Sequence, residues 1–305
     1  MTALQTASIV LPKEVSTAIV QEAHKTSAIA TLASADKAGF FDDSYNVFTG
    51  KARGHIVAEG EKKKSYDQTV TPVEGTRITV QTTTRVSKQL QWADEDNQLE
   101  ILDAIQSDQS AAAGETLDYA VFHAIDPLSG SPVSSLTAKA LATLAQQVTS
   151  TDDPMADLDA MTDKLIDWTI NGIALSPQFA NTLRKLRAAG TGARLYDIPL
   201  DLRAATIDGI PSAVTQSVAG GYATDETNVL AFMGQFDGNI RWRLAKPITA
   251  EIIPYGNPDG QGDLSEMNQV AYRTEAVFSF AVLNPKAIAV LKSAAAKASV
   301  RKATR

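Results

Sequence analysis

The spacing of apolar positions changes several times along the chain, and each change predicts an element. Residues 97–125 carry Leu99, Leu102, Ile105, Ala112, Leu117, Ala120 and Val121 at mostly helical spacing, which predicts one long helix with a narrow apolar stripe. Upstream, "YNVFTGKARGHIV" and "VTPVEGTRITVQTTTRV" are rich in Thr, Val and Ile and read as β. Between them, "VAEGEKKKSYDQT" (57–69) is a short polar stretch. Together these predict a long hairpin over about residues 44 to 86, with arms of roughly 15 residues reaching about 50 Å at ~3.3 Å per residue. A two-stranded ribbon of that kind is marginal in water unless something covers it, which points to a neighbouring subunit.

The remaining elements follow from caps and breakers. Residues 10–34 predict a short helix followed by extended chain. Two prolines and a glycine in "DPLSGSP" break the chain, and "SLTAKALATLAQQV" predicts a helix after them. Asp153–Pro154 opens another helix as cap and first position, with Met155, Leu158, Met161, Leu165 and Ile166 as its inner face. In "NGIALSPQFANTLRKLRAAG" an apolar strand end leads to a helix start at Ser176–Pro177. Phe179, Leu183 and Leu186 form its buried stripe, and Gly190 is expected to close it. "TIDGIPSAVTQSV" reads as a turn and a strand, and "AFMGQFDGNIRWRLAKPITAEIIPYG" holds at least two strands. "NPDGQGDLSE" is a polar loop. The stretch "QVAYRTEAVFSFAVLNPKAIAVLKSA" predicts a long strand, a turn at Asn284–Pro285 and a short helix. No internal repeat is visible, and the fold class is α+β.

Composition narrows the function. At 305 residues, 44% hydrophobic and 21% charged, the profile is that of a soluble globular protein of one large or two medium domains. The apolar runs are too short for a membrane span, and the N-terminus has no basic region ahead of an apolar block. A net charge of −7 argues against a sequence-reading nucleic-acid binder. The locally basic C-terminus reads as a solvated helix end and tail.

Catalytic motifs are missing from the sequence. With no cysteine there is no disulfide, thiolate ligand or cysteine nucleophile. His24, His55 and His123 lie far apart without metal-ligand spacing. The "TGK" at 49–51 lacks the rest of a phosphate loop, and "GTGARL" and "GQGDLSE" lack the third glycine of a dinucleotide fingerprint. Asp153, Asp157, Asp159 and Asp163 lack the glycine and terminal glutamate of a calcium loop, so a solvated helix face explains them. No cofactor and no metal are expected.

The order of elements carries a resemblance. An N-terminal arm, a long hairpin with a charged tip and a long helix come first. "IALSPQFANTLRKLRAAG", "GIPSAVT" and "MNQVAYRTEAVFSFAVLNPKAIAVL" come later. From about Val10 to Lys292 the chain resembles the major capsid proteins of tailed bacteriophages, the Hong Kong 97-type fold. That resemblance implies an N-terminal arm at 1–35, an E-loop hairpin at 36–86 lying across the adjacent subunit, and a P-domain with a spine helix at 87–165. It further implies an A-domain at 166–245, and return strands to the P-domain with a C-terminal helix and tail at 246–305. The implied function is an icosahedral shell around double-stranded DNA, located in the virion and assembled in the bacterial host cytoplasm. The implied partners are the chain itself in hexamers and pentamers, a portal, scaffolding or decoration proteins, and DNA contacted non-specifically, with no membrane. An encapsulin-type nanocompartment shell is the runner-up, and a cytoplasmic enzyme with an unrecognised motif is a third reading. With Met1 only a few residues before the arm, scaffolding is either a separate protein or not used, and both remain open.

The same resemblance implies site residues. The E-loop tip holds Glu61, Lys62, Lys63, Lys64 and Asp67 as an intersubunit contact. Some family members join subunits through an isopeptide bond between an E-loop lysine and an asparagine, with a glutamate of the last long strand as base. Lys63, Asn268 and Glu275 fall at those positions, and Lys62 and Lys64 flank the first. A lysine with an ordinary pKa near ~10.4 must lose its proton to attack, so such a trio needs burial and a base. Plain intersubunit hydrogen bonds and a solvated tip are the alternative for these residues.

Overall fold

The computed structural model describes residues 27–37, 44–48, 54–63, 65, 69–97, 101–151, 153–199 and 206–294. In chain order, α1 (Ala28–Leu32), β1 (Ser44–Phe48), β2 (Val70–Glu74) and β3 (Thr76–Ser87) come first. Next are α2 (Lys88–Asn97), α3 (Ile101–Phe122), α4 (Leu141–Leu144), β4 (Gln146–Thr149) and α5 (Pro154–Lys164). Then come β5 (Gly172–Leu175), α6 (Pro177–Lys185), β6 (Thr206–Ile207), β7 (Ile210–Val214) and α7 (Gln216–Ala219). β8 (Val229–Gly234), β9 (Ile240–Ile253), β10 (Gln269–Val282) and β11 (Ile288–Lys292) complete the order.

A six-stranded mixed sheet in the order β4-β11-β8-β5-β7-β6 forms the centre of one body. Alternation along its strands divides the core into two layers. Ile173, Leu175, Ala231, Met233, Ala289 and Leu291 meet the buried stripes of α5 and α6, which include Leu158, Met161, Phe179 and Leu183. Ala174, Phe232, Ile288 and Val290 face the other way, onto Leu117, Val121 and Phe122 of α3, Val218 of α7 and Ile29 of α1. β6 and β7 are joined through Asp208 (φ 50°) and Gly209 (φ 79°), the two positive-φ positions of a tight hairpin turn that follows the strand twist.

The second body is a three-stranded antiparallel sheet, β3-β10-β9. β3 and β10 pair in unbroken register from Thr76↔Phe280 to Ser87↔Gln269. Gln109 ties α3 onto this sheet. Its amide nitrogen donates to Thr84 Oγ1 (2.8 Å) and the Tyr272 carbonyl (3.1 Å), and its oxygen accepts from Thr274 Oγ1 (2.7 Å). The helix α3 thus spans both bodies, packing on the long sheet with its first half and inside the six-stranded body with its second.

Several expectations change in the folded chain. The predicted hairpin is shorter than its two β-rich stretches: β1 and β2 pair over five residues, Ser44↔Glu74 to Phe48↔Val70. The rest of the second stretch becomes β3, because β10 offers it a twelve-residue ladder that a solitary ribbon cannot. Residues 146–149 form a strand beside β11 instead of continuing a helix, and Gln147 Nε2 closes the short helix before them on the carbonyls of Ala142 (3.1 Å) and Ala145 (2.9 Å). The expected helix after Asn284–Pro285 is a single 3-10 turn followed by β11. Ile288–Leu291 lie between β4 and β8 with both faces buried, an environment that suits β-branched residues in a strand. α6 ends at Lys185 with Leu186 already extended, and Gly190 (φ 93°) sits in the next turn. The inner face of α5 holds as read except for Ile166, which is 83% exposed beyond the helix end. The apolar "SIVLP" segment and residues up to 26 lie outside the described residues, and the end of the 10–34 stretch, expected as extended chain, holds the short helix α1, with Asp118 accepting the Ala28 and Ile29 amides at its start.

Candidate assembly surfaces

The β1–β2 ribbon is fixed at its root and bare at its tip. At the root, Asp36 accepts from the Tyr45 hydroxyl (3.1 Å) and Arg241 Nε (3.0 Å), and pairs with Arg241 Nη2 at 2.5 Å. The guanidinium of Arg241 also lies over the Tyr45 ring, 5.8 Å from its centroid. Beside this clasp, Trp242 Nε1 donates to the Ala33 carbonyl (2.8 Å), and the Ser34 amide donates to Asp237 (3.0 Å). Together these contacts hold the chain that leads into the ribbon against the start of β9 and the turn before it.

Toward the tip the ribbon lacks a core. Phe48 and Val70 are direct cross-strand partners, yet they are 62% and 44% exposed, and Ile56 is 96% exposed. Glu61, Lys62 and Lys63 are exposed, while Lys64 and Asp67 lie outside the described residues. Apolar side chains on a thin ribbon, ending in charge, are what an intersubunit arm needs and what an isolated chain does not.

Asn268 and Glu275 lie at separate places on the long sheet. Asn268 is exposed, has a positive φ of 54°, and accepts the Lys88 amide on its backbone carbonyl at 3.0 Å. Glu275 is half-buried in the middle of β10, between Gln81 of β3 and Thr249 of β9. Seven residues of extended chain separate them by roughly 23 Å. Within one chain Glu275 therefore cannot reach the Asn268 carboxamide, and Lys63 is on another element. Any joint action of the three draws them from different subunits.

Two polar hubs lie outside the sites read from the sequence. Asp118, within the buried stripe of α3, accepts from the Ser27 hydroxyl (2.5 Å), the amides of Ala28 (2.7 Å) and Ile29 (3.2 Å), and the Ser217 hydroxyl (2.8 Å). It is fully buried, and loss of hydration pushes its carboxyl up to about 6 despite these donors. One turn and a half along α3, His123 Nε2 meets the carbonyls of Ser217 and Val218, both at 3.0 Å, and burial pulls the imidazole down to about 4. The sequence signal for Asp118 was available: an acid flanked by Leu117 and Tyr119 inside an apolar helix stripe.

The second hub is Arg85, which organises the loop between β9 and β10. Its guanidinium donates to Asp259 (2.8 and 3.0 Å from Nε), Asn257 (3.3 Å), Gln269 (3.3 Å) and the Gly262 carbonyl (2.8 Å). Hydrogen bonding to Arg85 holds the Asp259 carboxyl below the usual range. Arg273 adds a second tie, to the Pro258 carbonyl at 2.8 Å. The loop's shape is thus fixed by charge-assisted bonds from two strands beneath it.

A ribbon that exposes apolar side chains toward its tip and a long helix crossing two sheets suit the subunit of a shell. The model of the phage capsid family matches residues 7–293, and the chain belongs to that family. It is a major capsid protein of a bacteriophage. Among solved structures it is similar to a chain of Mycobacterium phage Ogopogo, 30% identical, with 96% of this chain and 100% of that one covered at a TM-score of 0.79. A chain of Gordonia phage Cozz is 27% identical, with 94% and 92% covered at a TM-score of 0.76. At 14% identity, a chain from the capsid of a native GTA particle covers 94% of this chain and 96% of its own at a TM-score of 0.62, a likeness of fold. No curated protein sequence matches. The nanocompartment alternative is not favoured by these relatives.

Proposed function

We propose that the chain closes into an icosahedral head built of hexamers and pentamers around double-stranded DNA, with the β1–β2 ribbon as the E-loop that lies across the neighbouring subunit. In this reading α3 is the spine helix of the P-domain (87–165), β5 to β8 with α6 and α7 belong to the A-domain (166–245), and β10 and β11 are the strands that return to the P-domain (246–305). The observation that carries it is the ribbon itself: anchored through Asp36, Arg241 and Tyr45, yet exposing Phe48, Ile56 and Val70 toward its far end. Apolar surface of this kind gains stability when a partner covers it, and obligate shell contacts commonly bury ~2,000 Å² or more. The portal, any separate scaffolding or decoration protein, assembly in the host cytoplasm and sequence-independent DNA contact follow from the same reading. The isopeptide bond from Lys63 to Asn268, with Glu275 as base, is its covalent extension, drawing on different subunits as the spacing along β10 requires. Electron microscopy of the purified full chain tests the proposal: closed icosahedral particles support it, and a small soluble oligomer under all assembly conditions overturns it.

A further inference from the structure

Charge is segregated within the six-stranded body. Residues 168–196 contain Arg184, Lys185, Arg187 and Arg194 and no carboxylate. Residues 204–240 contain Asp208, Asp225, Glu226 and Asp237 and no Lys or Arg. The chain as a whole carries −7, so the basic stretch stands against the overall sign.

The fold gathers the cations in one place. The C-terminal end of α6 carries Arg184 and Lys185, and the chain then turns so that Arg187 and Arg194 face each other across an antiparallel bridge. Directly opposed like charges repel, which leaves this pair in want of an anion. Arg187 spends its hydrogen bonds on the carbonyls of Arg184 (3.0 Å) and Leu186 (3.1 Å). None of the four forms an ion pair among the described residues. Beside them Leu195 is 49% exposed.

The complementary surface lies on the other side of the sheet. There two loops are clipped together, with the Thr224 amide and hydroxyl both donating to the Gly130 carbonyl at 2.9 Å. Tyr222 stacks on Tyr119 at 5.5 Å between ring centroids, and its amide donates to the Tyr119 hydroxyl at 3.2 Å. The loops present Leu128, 86% exposed, and Tyr222, 43% exposed, next to exposed Asp225 and Glu226. The result is a small apolar centre with an acidic rim, held rigid from below.

We infer that the basic turn of one copy, Arg187 and Arg194 with Leu195, docks on the Leu128–Tyr222 surface and its Asp225–Glu226 rim on the next copy. The inference rests on the shell reading and names the contact by which subunits line up within a capsomer. α6 packs on the Ile173–Leu175 face of the sheet and α7 on the Ala174 face, so the two surfaces of one chain point apart and cannot satisfy each other. A contact between unlike surfaces is heterologous, and repeated around an axis it closes a ring. The exposed leucine within the basic turn, matched by an apolar centre inside the acidic rim, favours a protein partner over a nucleic acid for this surface. Charge complementarity then fixes which faces meet.

Charge reversal in the full-length chain tests this. Arg187→Glu with Arg194→Glu, and separately Asp225→Lys with Glu226→Lys, should each keep the wild-type melting profile while cutting assembled rings and shells about tenfold or more, because like charges then face each other. The chain bearing all four substitutions restores complementarity with the signs exchanged and should regain assembly. Folded pair variants that assemble like wild type overturn the inference, as does a folded fourfold variant that stays unassembled. Normal shells that merely hold less DNA when the arginines are reversed overturn it in favour of a nucleic-acid contact. A wild-type chain that forms no particle at all sinks the shell reading itself, which separates that failure from this one.

Discussion

Asp118 of α3 accepts the hydroxyl of Ser217 at 2.8 Å, joining the long helix to α7 inside the core. The same carboxylate accepts Ser27, Ala28 and Ile29, so one buried acid holds three segments that lie about 90 residues apart on either side. Its four donors have no water to turn to. Replacing Asp118 with Ala orphans the Ala28 and Ile29 amides and the Ser27 hydroxyl, while Ser217 keeps Thr215 Oγ1 at 2.7 Å; at on the order of 1–3 kcal/mol each, the expected loss in a urea titration is about 3 kcal/mol or more. Asp118→Asn keeps one acceptor and should lose less. Equal, small losses for both variants would show that the hub is not holding α1 in place.

The pH response follows from two opposed groups, Asp118 of α3 and His123 just past its end. Burial raises Asp118 to about 6, so its contribution is fully present below the ordinary aspartate range and is lost as pH rises through 6. Burial lowers His123 to about 4, so its contribution is present above the ordinary histidine range and is lost as pH falls toward 4. Between these limits the two act in opposite directions, each by at most about 3 kcal/mol. Relative to wild type, Asp118→Asn should lose stability on acidification from neutral pH toward pH ~4, with the histidine unmasked. His123→Gln should instead gain stability over the same range. Denaturation midpoints across that range check both slopes, and parallel curves for all three proteins would refute the assignment.

Gly234 has φ 150°, and a Cβ there would lie 2.2 Å from the Ala287 carbonyl oxygen and 2.8 Å from Ile288 Cα. Both neighbours are backbone where the 3-10 turn enters β11, beside β8, and have little room to step aside. Gly234→Ala should cost about 3 kcal/mol or more, or yield insoluble protein, as strain and overpacking combine. A midpoint within ~0.5 kcal/mol of wild type would mean the β8–β11 junction relaxes freely.

The ribbon should matter to the shell and little to the single chain. Deleting residues 54–70 should leave both sheet bodies folded, with near wild-type circular dichroism, and yield no closed particles. Phe48→Ser with Val70→Ser is the milder version, expected to lower particle yield or melting temperature while the unassembled chain stays within ~0.5 kcal/mol. Normal particles from the deleted chain would remove the ribbon from assembly.

Covalent joining has its own readout. If Lys63 or a neighbour attacks the Asn268 side chain, Nζ bonds to Cγ and ammonia leaves, so mature particles boiled in denaturant run as a ladder of multimers. Glu275→Gln should abolish the ladder while particles still form. Lys62, Lys63 and Lys64 all changed to Arg should do the same, since arginine with pKa above ~12 cannot become the nucleophile. A single band at 32.5 kDa from mature wild-type particles would leave the lysines as a docking charge only.

Local patterns in the sequence determined much of this protein. Ser176–Pro177 and Asp153–Pro154 announce helix starts by capping chemistry, and both caps are made as read, to Phe179 at 3.2 Å and to Met155 at 3.0 Å. The order of elements was specific enough to indicate the capsid family. Tertiary structure alone decided where a β-rich stretch goes. Residues 76–87 and 288–292 carry no local mark of their partners, and a strand is stable only where another strand accepts its backbone. β10 claims the first and β4 with β8 the second. Asp118 stands out locally only as an acid inside an apolar stripe; its donors, like the partners of Arg85, lie far away in sequence, and only packing brings them within reach.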